Sequence, residues 1–252
     1  MTRNYMRRML LSITLILTIT TFSGCLRRLS DPHPEYNATY ASVTAINLNN
    51  VIGKTEVLGN AALTDTVHIA TTLRVETYSL LGLGNPNNYL DSVAIVETME
   101  GGTLKISAAV KQRSFLDRLL VRVLPYVERK MDVPAAIEAT LQSDVGNIDL
   151  INLVGDVSVD LRVGELTMMS QLGLFGQQEY KVNVGTLTIN LPENASFRYD
   201  LKTSLGDIDV NGFDIPTHGF IGDTAVGVVG YLDTAASVLG RVDVGNIVVS
   251  AQ

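Results

Sequence analysis

Over long stretches of this chain apolar and polar residues alternate, and the alternation is broken at intervals by a glycine that follows an apolar residue. The run SDVGNIDLINLVGDVSVDLRVGELTM, from Ser143 to Met168, shows the unit three times, at Gly146, Gly155 and Gly164. It returns as Val184-Gly-Thr-Leu, Leu205-Gly-Asp-Ile, Val226-Gly-Val-Val, Leu239-Gly-Arg-Val and Val244-Gly-Asn-Ile. Beyond each glycine the apolar residues fall two apart, the period of a strand with one buried face. The residue before the glycine and the residue two after it are both apolar, although a straight strand would send them to opposite faces. The chain is therefore expected to bend there, at a positive φ that is open to glycine and costs other residues about 1–2 kcal/mol. Gly146, Gly155, Gly164, Gly185, Gly206 and Gly245 are read as structural corners.

The glycines are spaced by nine, nine and then twenty-one residues (Gly164, Gly185, Gly206, Gly227), with eighteen from Gly227 to Gly245. Such periods predict coils of about 18 to 21 residues, each covering the last. One rung cannot bury its own Val and Ile face, whereas stacked rungs share a core in which each buried Val or Leu contributes about 1.5–3 kcal/mol. The fold expected is all-β, a right-handed β-solenoid or β-roll of short rungs turned at glycine corners, with a β-sandwich as the alternative. Composition agrees with a strand-rich body: the chain has 252 residues, 46% hydrophobic, 6% aromatic and without tryptophan. The net charge of -7 argues against nucleic acid as a partner.

The first thirty residues have a different character. Arg3, Arg7 and Arg8 precede the uncharged stretch Met9 to Phe22, and Ser23-Gly24-Cys25 follows. A basic start, a short apolar segment and small residues before cysteine resemble a bacterial lipoprotein signal. The resemblance implies lipidation at Cys25, cleavage after Gly24, and a body outside the cytoplasm in the cell envelope, with the lipid on Cys25 as its membrane partner. An uncleaved anchor is the alternative, because the run between Arg8 and Arg27 is long enough to cross a bilayer as a helix. The organisation expected is a signal peptide over 1–24, a tether over 25–37 and a β-strand-repeat domain over 38–252, with a candidate division into halves near 111–131.

The stretches Asp132 to Leu150, Val154-Gly-Asp-Val and Leu191 to Val210 resemble bacterial adhesin-like β-strand-repeat proteins of unknown function, including candidate autotransporter adhesin head domains. The last stretch is also similar to the C-terminal domain of membrane proteins of the cell-wall-active antibiotic response. Sparser versions of the pattern (Val43 to Val57, Val67 to Val75, Val93 to Ile106) extend the likeness over roughly residues 38 to 252. The first resemblance implies an adhesin-like binding or scaffold module; the second implies a sensor or regulatory subunit of an envelope-stress response. Neither supplies catalytic residues.

The residues themselves offer no catalytic constellation, cofactor motif or metal set. Asp207-Ile-Asp209-Val-Asn211-Gly212 matches the first half of a calcium loop, but His218 stands where the bidentate Glu should be. Ile208 and Val210 alternate with these acids as a buried strand face would. Asp149, Asp156 and Asp160 are read in the same way, as a solvated face. His33, His68 and His218 are scattered, with no acid or serine beside them in a catalytic spacing. The basic segment holding Lys111, Arg113, Arg118 and Arg122 is expected to be an amphipathic connection, with a short helix capped by Ser114. Two loops, Leu81 to Tyr89 and Leu172 to Tyr180, share a Leu-Gly-Leu tip and a returning tyrosine. They make Leu83, Tyr89, Leu174, Phe175 and Tyr180 candidate contacts for an envelope protein or glycan, or else lids on the core.

Overall fold

The computed structural model describes residues 26–79, 85–111, 121–174, 176–219, 222–230 and 236–252. Strands dominate them. The N-terminal part supplies β1 (Leu26–Leu29), β2 (Tyr36–Tyr40), β3 (Ala45–Asn60), β4 (Val67–Ser79), β5 (Val93–Glu100) and β6 (Thr103–Val110). A 3-10 helix over Pro86–Ser92 precedes β5. The repeat supplies β7 (Val121–Pro134), β8 (Glu138–Ile151), β9 (Val157–Met169), β10 (Gln177–Leu191), β11 (Phe197–Leu205) and β12 (Ile208–Asn211). The end of the chain adds β13 (His218–Gly219), β14 (Asp223–Val229) and β15 (Ser237–Ala251). All belong to one mixed sheet whose main path runs β1-β4-β7-β3-β8-β9-β10-β15-β11-β14-β13. The all-β expectation holds, and strands from both sides of 111–131 share that sheet and its main core.

The centre of the sheet is parallel. Ala139 pairs with Val157 and Val157 with Gln178, so each strand lies beside the one before it. A straight strand would carry Ile151 about 40 Å from Ala139, at roughly 3.3 Å per residue. The link over 152–156 can bring the chain back by only about 21 Å when fully extended. Each long strand must therefore double over, and the place is the glycine. Inward positions are Ala139, Leu141 and Ser143 before it and Ile148 and Leu150 after it, so the buried set switches from odd to even numbers across Gly146. Leu161 and Leu166 flank Gly164 in the same way, as do Val182 and Leu187 around Gly185. Both halves of every such strand feed one core.

Gly53, Gly146, Gly164, Gly185 and Gly245 stand side by side across five strands, and Gly206 stacks on Gly245. Gly164 shows why no other residue serves. Its φ is +144°, and a Cβ there would lie 1.7 Å from the carbonyl oxygen of Gly146 on the neighbouring strand. Strain and backbone clash thus act together. Gly155 corrects the expectation of a corner at every repeat: it lies in the loop before β9, outside the positive-φ set, with its Cα against the backbone of Ala136 and Ile137. The nine-residue spacing alternates a corner glycine within a strand with a loop glycine between strands.

The residue before each corner is not buried. Val145, Val163, Val184, Val244 and Leu205 are 42%, 44%, 46%, 44% and 53% exposed, so they lie outside the bend while the residue two beyond the glycine is inside. They pair in register across neighbouring strands, where β-branched neighbours suit a strand ladder.

At the N-terminal end the two halves of β3 part company. Ala45–Asn49 pairs with β6 and Ile52–Asn60 with β7. The first route continues to β5 through a hairpin turned at Gly101 and Gly102, both at positive φ as a two-residue turn requires. The second continues to β4, which carries β1 and β2. Between the two routes lies a second, smaller core of Leu73, Val75, Val93, Val121, Val123 and Val127. The stretch expected to be a tether is in fact paired: β1 lies on β4, and Ser30 and His33 donate their amides to the carbonyls of Val75 and Leu73.

Candidate binding site

The position two beyond the corner glycine forms a row across the sheet, and most of that row is apolar. Ile208, Ile247, Leu187, Leu166 and Ile148 follow one another in register and all are buried. The row then continues through Thr55, Arg129, Thr71 and Tyr36 on β3, β7, β4 and β2. Residues paired in this way share a face of the sheet, so a core row turns polar as it passes from the repeats into the N-terminal end.

Arg129 is the extreme case. It is 2% exposed, and its Nε, Nη1 and Nη2 all lack a protein hydrogen-bond partner. Burial holds its guanidinium down at about 10, and the charge of Glu97 partly opposes that shift. Burying such a charge without a partner costs several kcal/mol. Thr71, beside it, is buried with its hydroxyl also unmatched. Glu97 comes from the other route, on β5. Its Oε2 accepts a short hydrogen bond from the Tyr40 hydroxyl, while its Oε1 is buried without a partner. Burial first, and Glu97 second, push the Tyr40 phenol well above its ordinary range.

Tyr36, Tyr40, Thr71 and Glu97 meet at an open cleft of about 600 Å³ where the two routes separate, while Arg129 stays beneath the surface and does not line it. Tyr36, Tyr40, Thr71 and Leu73 line one wall, and Val93, Ile95 and Glu97 the other. Lys111 at the mouth donates from Nζ to the Asp91 carbonyl at 3.0 Å. Apolar walls with a few converging polar groups are the usual make-up of a small-ligand site.

The residues singled out in the sequence fall elsewhere. Leu174 and Tyr180 are 7% and 0% exposed and belong to the main core, and Tyr180 donates its hydroxyl to Gln178 at 2.7 Å. They are corrected from contacts to core residues, because Leu174 packs into the main core and Tyr180 is an inward position of β10. Tyr89 is half-buried against the second core. Leu83, Phe175, Cys25, Arg113, Ser114 and Arg118 lie outside the described residues.

The acids considered for a groove have structural partners. Asp149 pairs with Lys54 at 2.8 Å, Asp160 faces Lys181 at 3.9 Å, and Asp156 accepts the Gln177 amide at 2.8 Å. Among the described residues no group of three or more His, Cys, Asp or Glu side chains is placed to hold a metal, and no helix is long and apolar enough to cross a membrane. The buried, unmatched arginine had a signal that sequence reasoning passed over. In Val127-Glu-Arg129-Lys-Met131-Asp-Val133 an arginine occupies an inward position of an otherwise regular alternation.

The sequence matches no protein-family model and no curated protein. Among solved structures, the chain is similar to a candidate cell adhesion protein from Clostridium sporogenes. The TM-score is 0.52 at 14% identity, over 88% of this chain and 100% of that one. A candidate adhesin from Bacteroides fragilis gives 0.26 at 13% identity, over 85% and 96% of the two chains. One from Parabacteroides merdae gives 0.25 at 10%, over 89% and 97%. Only the first score bears on architecture, and at that identity the likeness is one of fold.

Proposed function

We propose that this chain is a non-enzymatic, lipid-anchored module of the cell envelope, an adhesin-like binding protein whose right-handed solenoid of glycine-cornered rungs is the scaffold and whose N-terminal cleft is the binding site. The observation that carries the reading is the row that turns from Ile148 to Thr55, Arg129 and Thr71, the last of which lines the cleft. Cores do not take up an unpaired guanidinium without a compensating role, and departures from an otherwise consistent pattern concentrate at functional sites. The fold likeness to the clostridial protein supports the scaffold. The lipid anchor is supported by Ser23-Gly24-Cys25 behind a short apolar segment.

Two measurements test the reading. Fatty-acid labelling of cells expressing the chain should mark the wild type and not Cys25→Ser, which should also remain uncleaved; equal labelling of both removes the anchor. Cells displaying the wild type should attach to a surface coated with cell-envelope material more than cells lacking it. No difference in attachment removes the binding role.

A further inference from the structure

The two routes from β3 end unequally. The second runs through β7 and β4 to β1 and β2, while the first stops at β5. β5 shares the second core with β4, so among the described residues no strand stands over β2, and the cleft lies there. The edge of β5 toward that space is bare. Its hairpin with β6 turns on two residues between Glu100 and Thr103, and Lys111 donates its amide to the Ser92 carbonyl. Both fix the same alternation: Ala94, Val96, Thr98 and Glu100 bond to β6, whereas Ile95, Glu97 and Met99 turn their N–H and C=O groups outward. Among the described residues nothing pairs with these outward groups. Natural edges are blunted by proline, by bulges or by shortness. β1 and β2 have four and five residues with Pro32 and Pro34 between them. β5 runs for eight, with no proline and no break in its pairing.

We infer that an extended peptide segment of a partner protein adds as a strand to the free edge of β5, over β2, with alternate side chains entering the cleft. This rests on the binding-module reading and supplies its partner class. In such complexes backbone hydrogen bonds give affinity, and pockets for every second side chain give preference. Leu73, Leu90, Val93, Ile95 and the rings of Tyr36 and Tyr40 ask for apolar side chains at those positions. Charge narrows the partner further. Asp91 and Glu97 line the cleft against Lys111, and Glu35 adds an exposed acid beside Tyr36, so a peptide carrying lysine or arginine complements this edge. A second copy of the chain fits poorly. Pairing β5 with its own counterpart would bring the two β4 strands to neighbouring positions as well, and β1 and β2 already occupy that side of β4. A single strand with no layer behind it meets no such obstacle.

The test pans a displayed library of random ten-residue peptides against the full-length protein in detergent. Recovered peptides should carry apolar residues at alternate positions and a net positive charge, and synthetic copies should bind. Amide exchange followed by NMR supplies the fingerprint. Binding should slow the amides of Ile95, Glu97 and Met99 tenfold or more and leave those of Val96 and Thr98, already bonded to β6, unchanged. Met99→Pro removes one outward N–H and no bond to β6, so it should keep the melting temperature and weaken binding tenfold or more. Methylating the peptide amides at alternate positions should abolish binding for one set and spare it for the other. Should Met99→Pro fail to fold, the exchange pattern and the methylated peptides decide the matter alone.

A library that yields no binder overturns the proposal. Peptides whose binding ignores both Met99→Pro and amide methylation do the same, and so does a dimer in sedimentation that Met99→Pro dissociates. Cell attachment that survives Met99→Pro sinks the strand site and leaves the module reading standing. Peptide binding by a protein that confers no attachment does the reverse.

Discussion

Glycine in this chain serves three physical purposes that substitution can separate. Gly101 has φ +57° with nothing within 4 Å of where a Cβ would stand, so alanine there meets only the left-handed penalty of about 1 kcal/mol. Gly155 lies outside the positive-φ set, but a Cβ would stand 2.4 Å from the Ile137 carbonyl, so alanine meets only a clash. Gly164 combines both at a place where neighbouring strands cannot move apart without breaking the ladder. Melting should therefore fall least for Gly101→Ala and most for Gly164→Ala. The latter should lose at least about 2 kcal/mol, or roughly 4–8 °C for a domain of this size. Equal losses at Gly101 and Gly164 would show that crowding at the ladder contributes nothing. Five corners were legible in the sequence because an apolar residue, a glycine and a returning apolar alternation coincide at each. Gly53 escaped because Thr55 stands where the pattern requires an apolar residue. Gly227 and Gly240 fit the pattern without being corners: one adjoins the Tyr199 ring and the other lies beneath Leu201 and Leu187. A local motif cannot distinguish a bend from a place where a bulky neighbour needs room.

At the scale of the element, the strands were readable by their period but not by their continuity. Alternation on either side of Gly146 reads as two short strands, whereas β8 runs unbroken from Glu138 to Ile151 with its buried set shifted by one residue. The inward half of β10 also imposes a pH dependence. Tyr180 is buried in it, and burial pushes its phenol upward from the ordinary value near 10. Above pH 10 the unfolded chain gives up a proton that the folded chain keeps. Stability contributed by this group is thus complete below pH 10 and declines as pH rises further. Arg129 works in the opposite sense. Its folded value is about 10, well below that of an ordinary guanidinium, so above pH 10 the fold sheds a proton that the unfolded chain retains, and stability recovers with pH. Melting temperatures between pH 8 and 11 should fall less steeply in Tyr180→Phe than in the wild type, and more steeply in Arg129→Met. Parallel curves for all three would contradict the burial of both groups. The ion pairs between neighbouring strands carry little by comparison. Lys181 and Asp160 are half exposed at 3.9 Å, and Lys181→Ala should shift stability by less than about 1 kcal/mol.

At the scale of the whole molecule, the N-terminal segment links the anchor proposal to the cleft. The sequence suggested a short tether kept extended by its two prolines. Long-range pairing overrides that local character: β1 lies along β4, Ser30 bonds Val75 through both its backbone and its hydroxyl, and Asp31 is held by Asn87. If Cys25 carries a lipid, β1 begins at the next residue, and the edge formed by β1 and β4 is held against the bilayer with almost no slack. His33, Pro34 and Tyr36 line the cleft only a few residues further on, so with that anchor the cleft would face the membrane-proximal region rather than the far end of the sheet. Trypsin supplies a direct check, since Arg27 and Arg28 are both in β1. In a free tether they would be cut at once, whereas in a paired strand cleavage should be slowed at least tenfold relative to a variant carrying Thr77→Pro, which breaks the pairing at Arg28. Equal cleavage in the two proteins would mean that the segment is a tether after all, and the cleft would then be free to stand well away from the membrane.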